Sequence, residues 1–293
     1  MAFILSEFPA LGTLWWIEVF SDIPSDKSEI IKTELVNTIS DFESKYSRFK
    51  SSSLLSQLNT EKVINDPDSE FVEILTYGQS LYNLTDRKFN ILLEEKLTAS
   101  GYDADYSFSI KSTDEYIPDP TKDLLISDSI ITLKKGRVDL GGFGKGYLID
   151  ILANKLKQHF NIEEFLINGG GDIYATSENK KPILIHLEHP TKTGTFVGTT
   201  TLFNQGFAAS TPHKRKWIIK DKTYSHIVNS LDTPLLEATF VKADRASLAD
   251  AIGTTTLLSS PEEIKTLATK INTPIAYIES EGSELSFTNN FNQ

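Results

Sequence analysis

The feature that most restricts how this chain can fold is a crowding of glycine between residues 141 and 171. Seven of its 16 glycines stand there, in Gly141-Gly142-Phe143-Gly144-Lys145-Gly146 and in Gly169-Gly170-Gly171. Glycine permits positive φ and lets backbone approach a neighbouring segment or a ligand closely. The first cluster stands between a strand-like run and a helical pattern, so its amides and the helix dipole could face an anion. A tight turn that packs helix against sheet is the competing reading. Two common nucleotide fingerprints do not fit. A P-loop needs Ser or Thr after its Lys, and Lys145 is followed by Gly146. A G-x-G-x-x-G turn would require glycine where Tyr147 stands. Asp139 and Asp172 flank the two turns, each suited to a ligand hydroxyl or to capping local backbone.

Around this centre the periodicity alternates. Thr13 to Phe20 is β-branched and aromatic and reads as a strand. After Pro24 and Ser25, Asp26 and Glu29 have capping-box spacing, and Ile31, Leu35, Ile39, Phe42 and Tyr46 form one helical stripe. A Ser-rich stretch follows at 51–56, then a helix over Ser69 to Leu84 and a long connection over 98–123. Ile130 to Leu140 reads as a hairpin turning at Lys135-Gly136. After the first glycine cluster, Ile149, Leu152, Ala153, Leu156 and Phe160 share a helix face, and Phe165–Asn168 is a strand. Strands near 183–188, 196–203, 215–220 and 223–228 suggest an antiparallel meander. A helix is expected near 245–258, another from Ser260-Pro261-Glu262-Glu263, and closing strands at Pro274–Glu279 and Leu285–Phe287. The expected class is α+β, with helices among mostly antiparallel strands. A length of 293 residues fits one domain, or two intimate α+β subdomains.

Composition removes whole classes of function. With no cysteine there is no disulfide framework, thiolate metal site or cysteine nucleophile, and no Cys to carry a lipid anchor. A formal charge of −11 argues against a dedicated nucleic-acid binder. No stretch approaches 18 apolar residues, and Glu7 and Pro9 interrupt the N-terminal apolar run, so neither a membrane span nor a secretory signal is expected. The expected location is cytoplasmic, unless a signal was trimmed away.

Among residues able to do chemistry, Ala249-Asp250-Ala251-Ile252-Gly253-Thr254 stands out. On a helix, positions i and i+4 share a face, so Asp250 and Thr254 would offer two hard oxygen ligands suited to Mg²⁺. A solvated helix face is the alternative, although the small apolar neighbours favour partial burial. His186 and His189 sit at i and i+3 on a strand and face opposite ways, a poor metal pair. His226 lies among strand-like residues. His213-Lys214-Arg215-Lys216 is the one dense basic run, a solvated hairpin end or a phosphate attractor.

Taken together, these pieces resemble the ApbE family of FAD:protein FMN transferases. Leu11-Gly12-Thr13 is similar to the family's GT before the first strand. Ser47-Arg48-Phe49 and Ser53-Leu54-Leu55-Ser56-Gln57-Leu58-Asn59 resemble its Ser-rich segment. Asp139-Leu140-Gly141-Gly142-Phe143-Gly144-Lys145-Gly146-Tyr147 resembles D-L-G-G-x-x-K-G-Y, and Asn168-Gly169-Gly170-Gly171-Asp172-Ile173 resembles N-x-G-G-D-I. Ser225-His226-Ile227 and Ala249 to Thr254 complete the order, over about residues 11–258.

The resemblance implies an ApbE-like, T-fold-like arrangement and a Mg²⁺-dependent reaction. FAD would be split at its pyrophosphate, FMN transferred to a Thr or Ser hydroxyl of a partner flavoprotein, and AMP released. The metal ligands would be the Gly142 carbonyl, Asp250 and Thr254. FAD contacts would fall on Leu11, Phe49, Lys88, Phe89, Asn90, Asp139, Lys145 and Ile227. His226 and Asp250 would carry the catalysis, His226 as acid/base. The pattern departs from the family at Thr85-Asp86-Arg87-Lys88-Phe89-Asn90, where two glycines and an Asp are lost. It departs again after His226 and at Ser210-Thr211-Pro212-His213. These changes fall on the acceptor-facing side more than on the Mg²⁺–FAD site. The alternatives are an FAD pyrophosphatase giving FMN and AMP, and a non-catalytic FAD-binding protein.

Overall fold

A computed structural model describes residues 3–93, 116–177, 181–213, 216–219, 222–225, 236–279, 284–288 and 291. In chain order the strands are β1 (Phe3–Ala10), β2 (Thr13–Val19), β3 (Val63–Asn65), β4 (Leu124–Ile126), β5 (Ile130–Leu133), β6 (Phe165–Gly169), β7 (Asp172–Thr176), β8 (Ile183–Glu188), β9 (Phe196–Leu202), β10 (Gln205–Ser210), β11 (Lys216–Ile219), β12 (Lys222–Ser225), β13 (Leu236–Ala243), β14 (Ile275–Glu279) and β15 (Ser286–Phe287). The helices are α1 (Ser25–Tyr46), α2 (Leu54–Glu61), α3 (Ser69–Leu84), α4 (Pro120–Asp123), α5 (Gly144–Asn154), α6 (Ala246–Thr256) and α7 (Pro261–Lys270). A single π-helical turn, Lys155–His159, extends α5.

Eight strands form one antiparallel sheet in the order β1-β2-β6-β7-β10-β13-β14-β15. β1 is an edge strand, which is why it tolerates Pro9, and it bulges between Ser6 and Phe8. One face of the sheet carries helices. Trp15, Ile17 and Val19 of β2 and Phe165 and Ile167 of β6 pack with the stripes of α1, α3 and α5. On the same side Val241 and Ala243 of β13 pack with Ala249 and Ile252 of α6 and Ile264 of α7. The opposite face, with Ile173, Phe207 and Phe240, is covered by Ile185, Leu187 and Leu202 of the β8–β9 hairpin and by Phe291. The small sheet β3-β5-β4 packs with α2 and α3 at one end of the helical layer.

The α+β, mostly antiparallel class is as the sequence suggests, and so are the inward stripes. Ile31, Leu35, Ile39, Phe42 and Tyr46 are buried on α1, and Ile149, Leu152, Ala153, Leu156 and Phe160 are buried beyond the first glycine cluster. Ser260 and Glu263 form the expected capping box. Three local expectations are corrected. Asp26 does not cap α1, because the helix already starts at Ser25 behind Pro24. Residues 130–140 are not a hairpin: β5 pairs with β3 and β4, and Arg137 bridges to Leu93. The strands from 183 to 228 do not form one meander, because β10 intervenes and joins the main sheet while β8–β9 and β11–β12 pair separately. The stretch 51–61 contains a helix, α2, whose N-cap Ser53 accepts a hydrogen bond from the Ser56 amide. Most of the 98–123 connection lies outside the described residues.

Two contacts lock α5 against α6. A Cβ at Gly146 would lie 2.6 Å from the carbonyl carbon of Ala246 and 2.7 Å from Cα of Ser247, so only glycine allows this backbone approach. One turn further, the buried Asp150 carboxylate caps α6 from outside its own helix. It accepts from the amides of Ala246 at 2.8 Å and Ser247 at 3.2 Å, and from Arg245 Nε at 3.2 Å. That supplies the N-terminal acceptor that Arg245, at the N-cap position, cannot. Gly146→Ala is therefore expected to lower the unfolding free energy by about 1–3 kcal/mol, since main chain rather than a flexible side chain must move. Urea denaturation of the two proteins measures this, and an unchanged midpoint would contradict it.

Candidate functional site

The junction of α5 and α6 forms the floor of a cleft of about 680 Å³, a volume in the range of ligand sites. Its walls come from the β1–β2 turn, the segment after α1, residues 88–93, the first glycine cluster and the end of β10.

At the floor, Lys145 on the first turn of α5 ion-pairs with both Asp172, at the start of β7, and Asp250 of α6, the latter at 3.3 Å. Asp250 is only 3% exposed. Its Oδ2 also accepts from the Gly146 amide at 3.2 Å. The anion facing the N-terminus of α5 is thus a carboxylate of the protein itself. Burial first, and the Asp172 carboxylate second, hold the Asp250 carboxyl well above the ordinary carboxylate range, against the pull of Lys145 and Gly146. For Lys145, burial disfavours the charge, yet Asp172 and Asp250 outweigh it and raise the ammonium. One ammonium facing two carboxylates leaves the cluster one positive charge short.

The donor set beside it suits a hard cation. Every hydrogen bond of Asp250 among the described residues uses Oδ2, and Oδ1 is open to the cleft. Thr254, one helical turn on, places Oγ1 3.4 Å from the Gly142 carbonyl oxygen. Neighbouring oxygens around an octahedral Mg²⁺ stand about 3 Å apart, so this pair is close to ligand spacing. Among the described residues no group of three His, Cys, Asp or Glu could hold a metal. A cation here would therefore rely on carbonyl and hydroxyl oxygens beside one carboxylate, a Mg²⁺-like rather than a Zn²⁺-like set.

Higher in the cleft, Phe49 is 43% exposed and its ring lies 4.4 Å from the Arg48 guanidinium. Arg48 is itself nearly buried and pairs through Nε with Asp139 Oδ2 at 3.5 Å. The other Asp139 oxygen accepts from the Gly141 amide at 2.7 Å. Asp139 therefore fixes the glycine turn and orients Arg48. Phe49 offers a flat apolar face to a ring system. Phe89 also lines the cleft but is only 6% exposed, held edge-on to Phe143 and against Gly142. Asn90 donates to the Pro118 carbonyl and accepts from the Leu92 amide, so its side chain braces the wall. Lys88 reaches away to Glu263 at 2.8 Å and Ser259 at 3.2 Å, tying the wall to α7. Leu11 stands at φ 50° in the β1–β2 turn, its amide donating to Glu43 at 3.3 Å.

The cleft thus gathers Leu11, Phe49, Lys88, Phe89, Asn90, Asp139, Gly142, Lys145, Asp250 and Thr254. His226 and Ile227 lie outside the described residues. Arg48 is a site residue that spacing alone does not reveal; its place next to Phe49 in the sequence is the available signal. The link from Asp172 to Lys145 spans the whole of α5 and β6, and no local pattern reveals it.

The ApbE family pattern matches residues 11–278. A protein from Haemophilus influenzae (strain ATCC 51907) named FAD:protein FMN transferase is 23% identical over 291 residues, covering 92% of this chain and 84% of its own. The crystal structure of an ApbE protein from Thermotoga maritima superposes with a TM-score of 0.88 at 18% identity, over 100% of both chains. The apo flavinyl transferase ApbE of Pseudomonas stutzeri gives 0.80 at 18% identity, over 98% of this chain and 94% of its own. The flavin transferase ApbE of Vibrio cholerae gives 0.78 at 17% identity, over 99% and 98%. The structures show a shared fold, and the family pattern spans most of the sequence: this chain belongs to the ApbE family.

Proposed function

We propose that this chain transfers FMN from FAD to a Thr or Ser hydroxyl of an acceptor flavoprotein, using Mg²⁺ and releasing AMP. The observation that carries this reading is the Lys145–Asp172–Asp250 cluster beside the Gly142–Thr254 oxygen pair, on the floor of a cleft walled by an exposed aromatic ring. The name of the Haemophilus influenzae relative supports flavin transfer as the reaction class.

In this reading Phe49, backed by Arg48, stacks on the isoalloxazine, and the pyrophosphate reaches down to the floor. Asp250 Oδ1, Thr254 Oγ1 and the Gly142 carbonyl would hold Mg²⁺. When bound, the ion offsets pyrophosphate charge and stabilises the leaving phosphate. Lys145 supplies the fixed positive charge between the two carboxylates. The acceptor oxygen bonds to the FMN-side phosphorus, and the bond from that phosphorus to the bridging oxygen breaks. AMP leaves with the bridging oxygen and its electron pair. The hydroxyl proton passes to a base, for which His226 is the candidate, because an alcohol is a poor nucleophile until deprotonated.

The test is incubation of the protein with FAD, Mg²⁺ and a folded flavoprotein acceptor, read by intact mass. An acceptor heavier by one FMN, with AMP released, is the expected result. FMN and AMP with no adduct would replace transfer by hydrolysis, and intact FAD alone would leave only binding. Asp250→Ala is expected to lower Mg²⁺-dependent turnover by more than about 100-fold, since loss of outer-shell partners alone costs 10–100-fold at metal sites. Undiminished turnover in that variant would remove the cation assignment.

A further inference from the structure

A second cavity, of about 340 Å³, opens on the other side of β10 from the cleft floor. The two share one wall, Ala209-Ser210-Thr211. Its far side is the β8–β9 connection, with His189, Thr191 and Thr193. The shared wall is rigidly held. Thr211 Oγ1 donates to the Glu237 carbonyl at 2.9 Å and accepts from the His213 amide at 3.2 Å, while the His213 imidazole meets the Glu237 carboxylate. Opposite, His189 Nδ1 accepts from the Thr191 amide at 3.2 Å, which fixes that ring on its loop.

The wall also runs past its neighbour in the sheet. β7 pairs with β10 only as far as Phe207, whereas β13 continues alongside to Ser210. Among the described strands, Ala209 and Ser210 therefore have a partner on one side only. A half-open strand end invites an extended polypeptide to add along it through main-chain hydrogen bonds.

We infer that the second cavity and the open end of β10 receive an extended segment of the acceptor protein, with its Thr or Ser side chain passing the edge of β10 that β7 leaves unpaired at Ala209 and Ser210, toward Asp172 and Asp250. This rests on the transfer reading above. A transferase that modifies a macromolecule needs an entrance separate from the one its nucleotide fills, and the two must meet at the reacting phosphate. The unpaired edge of β10 lies beside the start of β7 at Asp172, so a side chain passing it is directed to the cluster floor. The lining joins hydroxyls and imidazoles to the apolar Pro190, Ala209, Ala238 and Phe240, a mixed surface that suits a main chain carrying small side chains.

The test uses Thr193→Trp, which fills the mouth of the second cavity from an exposed loop position, with Thr193→Ser as control. The probes are FAD and short synthetic peptides, each carrying a single Thr, assayed beside the folded acceptor. The wild type should modify at least one peptide. Thr193→Trp should raise the KM for peptide and acceptor at least tenfold, with the melting temperature within about 2 °C and the Kd for FAD within about twofold of wild type, and Thr193→Ser should behave as wild type. If the acceptor is modified equally by wild type and Thr193→Trp, or if the acceptor is modified but no peptide is, this inference falls and the transfer reading stands. If the wild type modifies neither, the transfer reading falls with it.

Discussion

The site depends on the contact between the first turns of α5 and α6. Gly146 lets the two backbones meet without a side chain between them, and Asp150 supplies the acceptor that the start of α6 lacks. Once those ends are fixed, Lys145 and Asp250 can only face one another, because each stands within one turn of the contact. The β6–β7 turn then brings Asp172 to the same point. The crowding of glycine in the sequence is the visible trace of this packing. Backbone that must touch backbone has no room for Cβ, and backbone that must reverse tightly needs positive φ, as at Gly170 (φ +74°), which packs on Thr13.

Charge at this junction is deliberately unbalanced in physical terms. Two buried carboxylates and one ammonium form a cluster that is costly in isolation, since burial disfavours each ion. Asp250 escapes part of that cost through the Gly146 amide and the dipole of α5. In the proposed reading, a cation beside Asp250 Oδ1 would offset the remainder. With a cation bound, as proposed, the cluster would no longer repel an anionic substrate, even in an acidic chain. The formal charge of −11 describes the molecule as a whole, whereas the cleft places Lys145 and Arg48 where phosphate and ring would lie.

Much of the architecture was legible because it rests on one-sided burial. The stripes of α1, α3 and α5 and the Ser260 capping box could be read by spacing alone. What escaped reading was buried on two sides or set by distant partners. β13 (Leu236–Ala243) faces helices on one side and the β8–β9 hairpin on the other, so its residues do not alternate between apolar and polar. β10 has four small residues among its six, with Gly206 and Ala208 under α6, and carries little strand signal. α2 is two turns long and hides behind serines. At the site, the i, i+4 spacing of Asp250 and Thr254 pointed to one helix face. Neither the burial of that face nor its pairing with Lys145 follows from spacing. Asn90 and Lys88 lie in the cleft wall, yet their side chains serve the wall itself, a distinction that needs coordinates.

In the proposed function the cluster on the cleft floor binds a pyrophosphate and a divalent cation together. Calorimetric titration of FAD into the protein, with and without Mg²⁺, tests it most directly. The expected result is one FAD per chain, bound at least about tenfold more tightly with Mg²⁺, a gain of about 1.4 kcal/mol. An affinity for FAD that is the same with and without Mg²⁺, or no binding in either case, would contradict it.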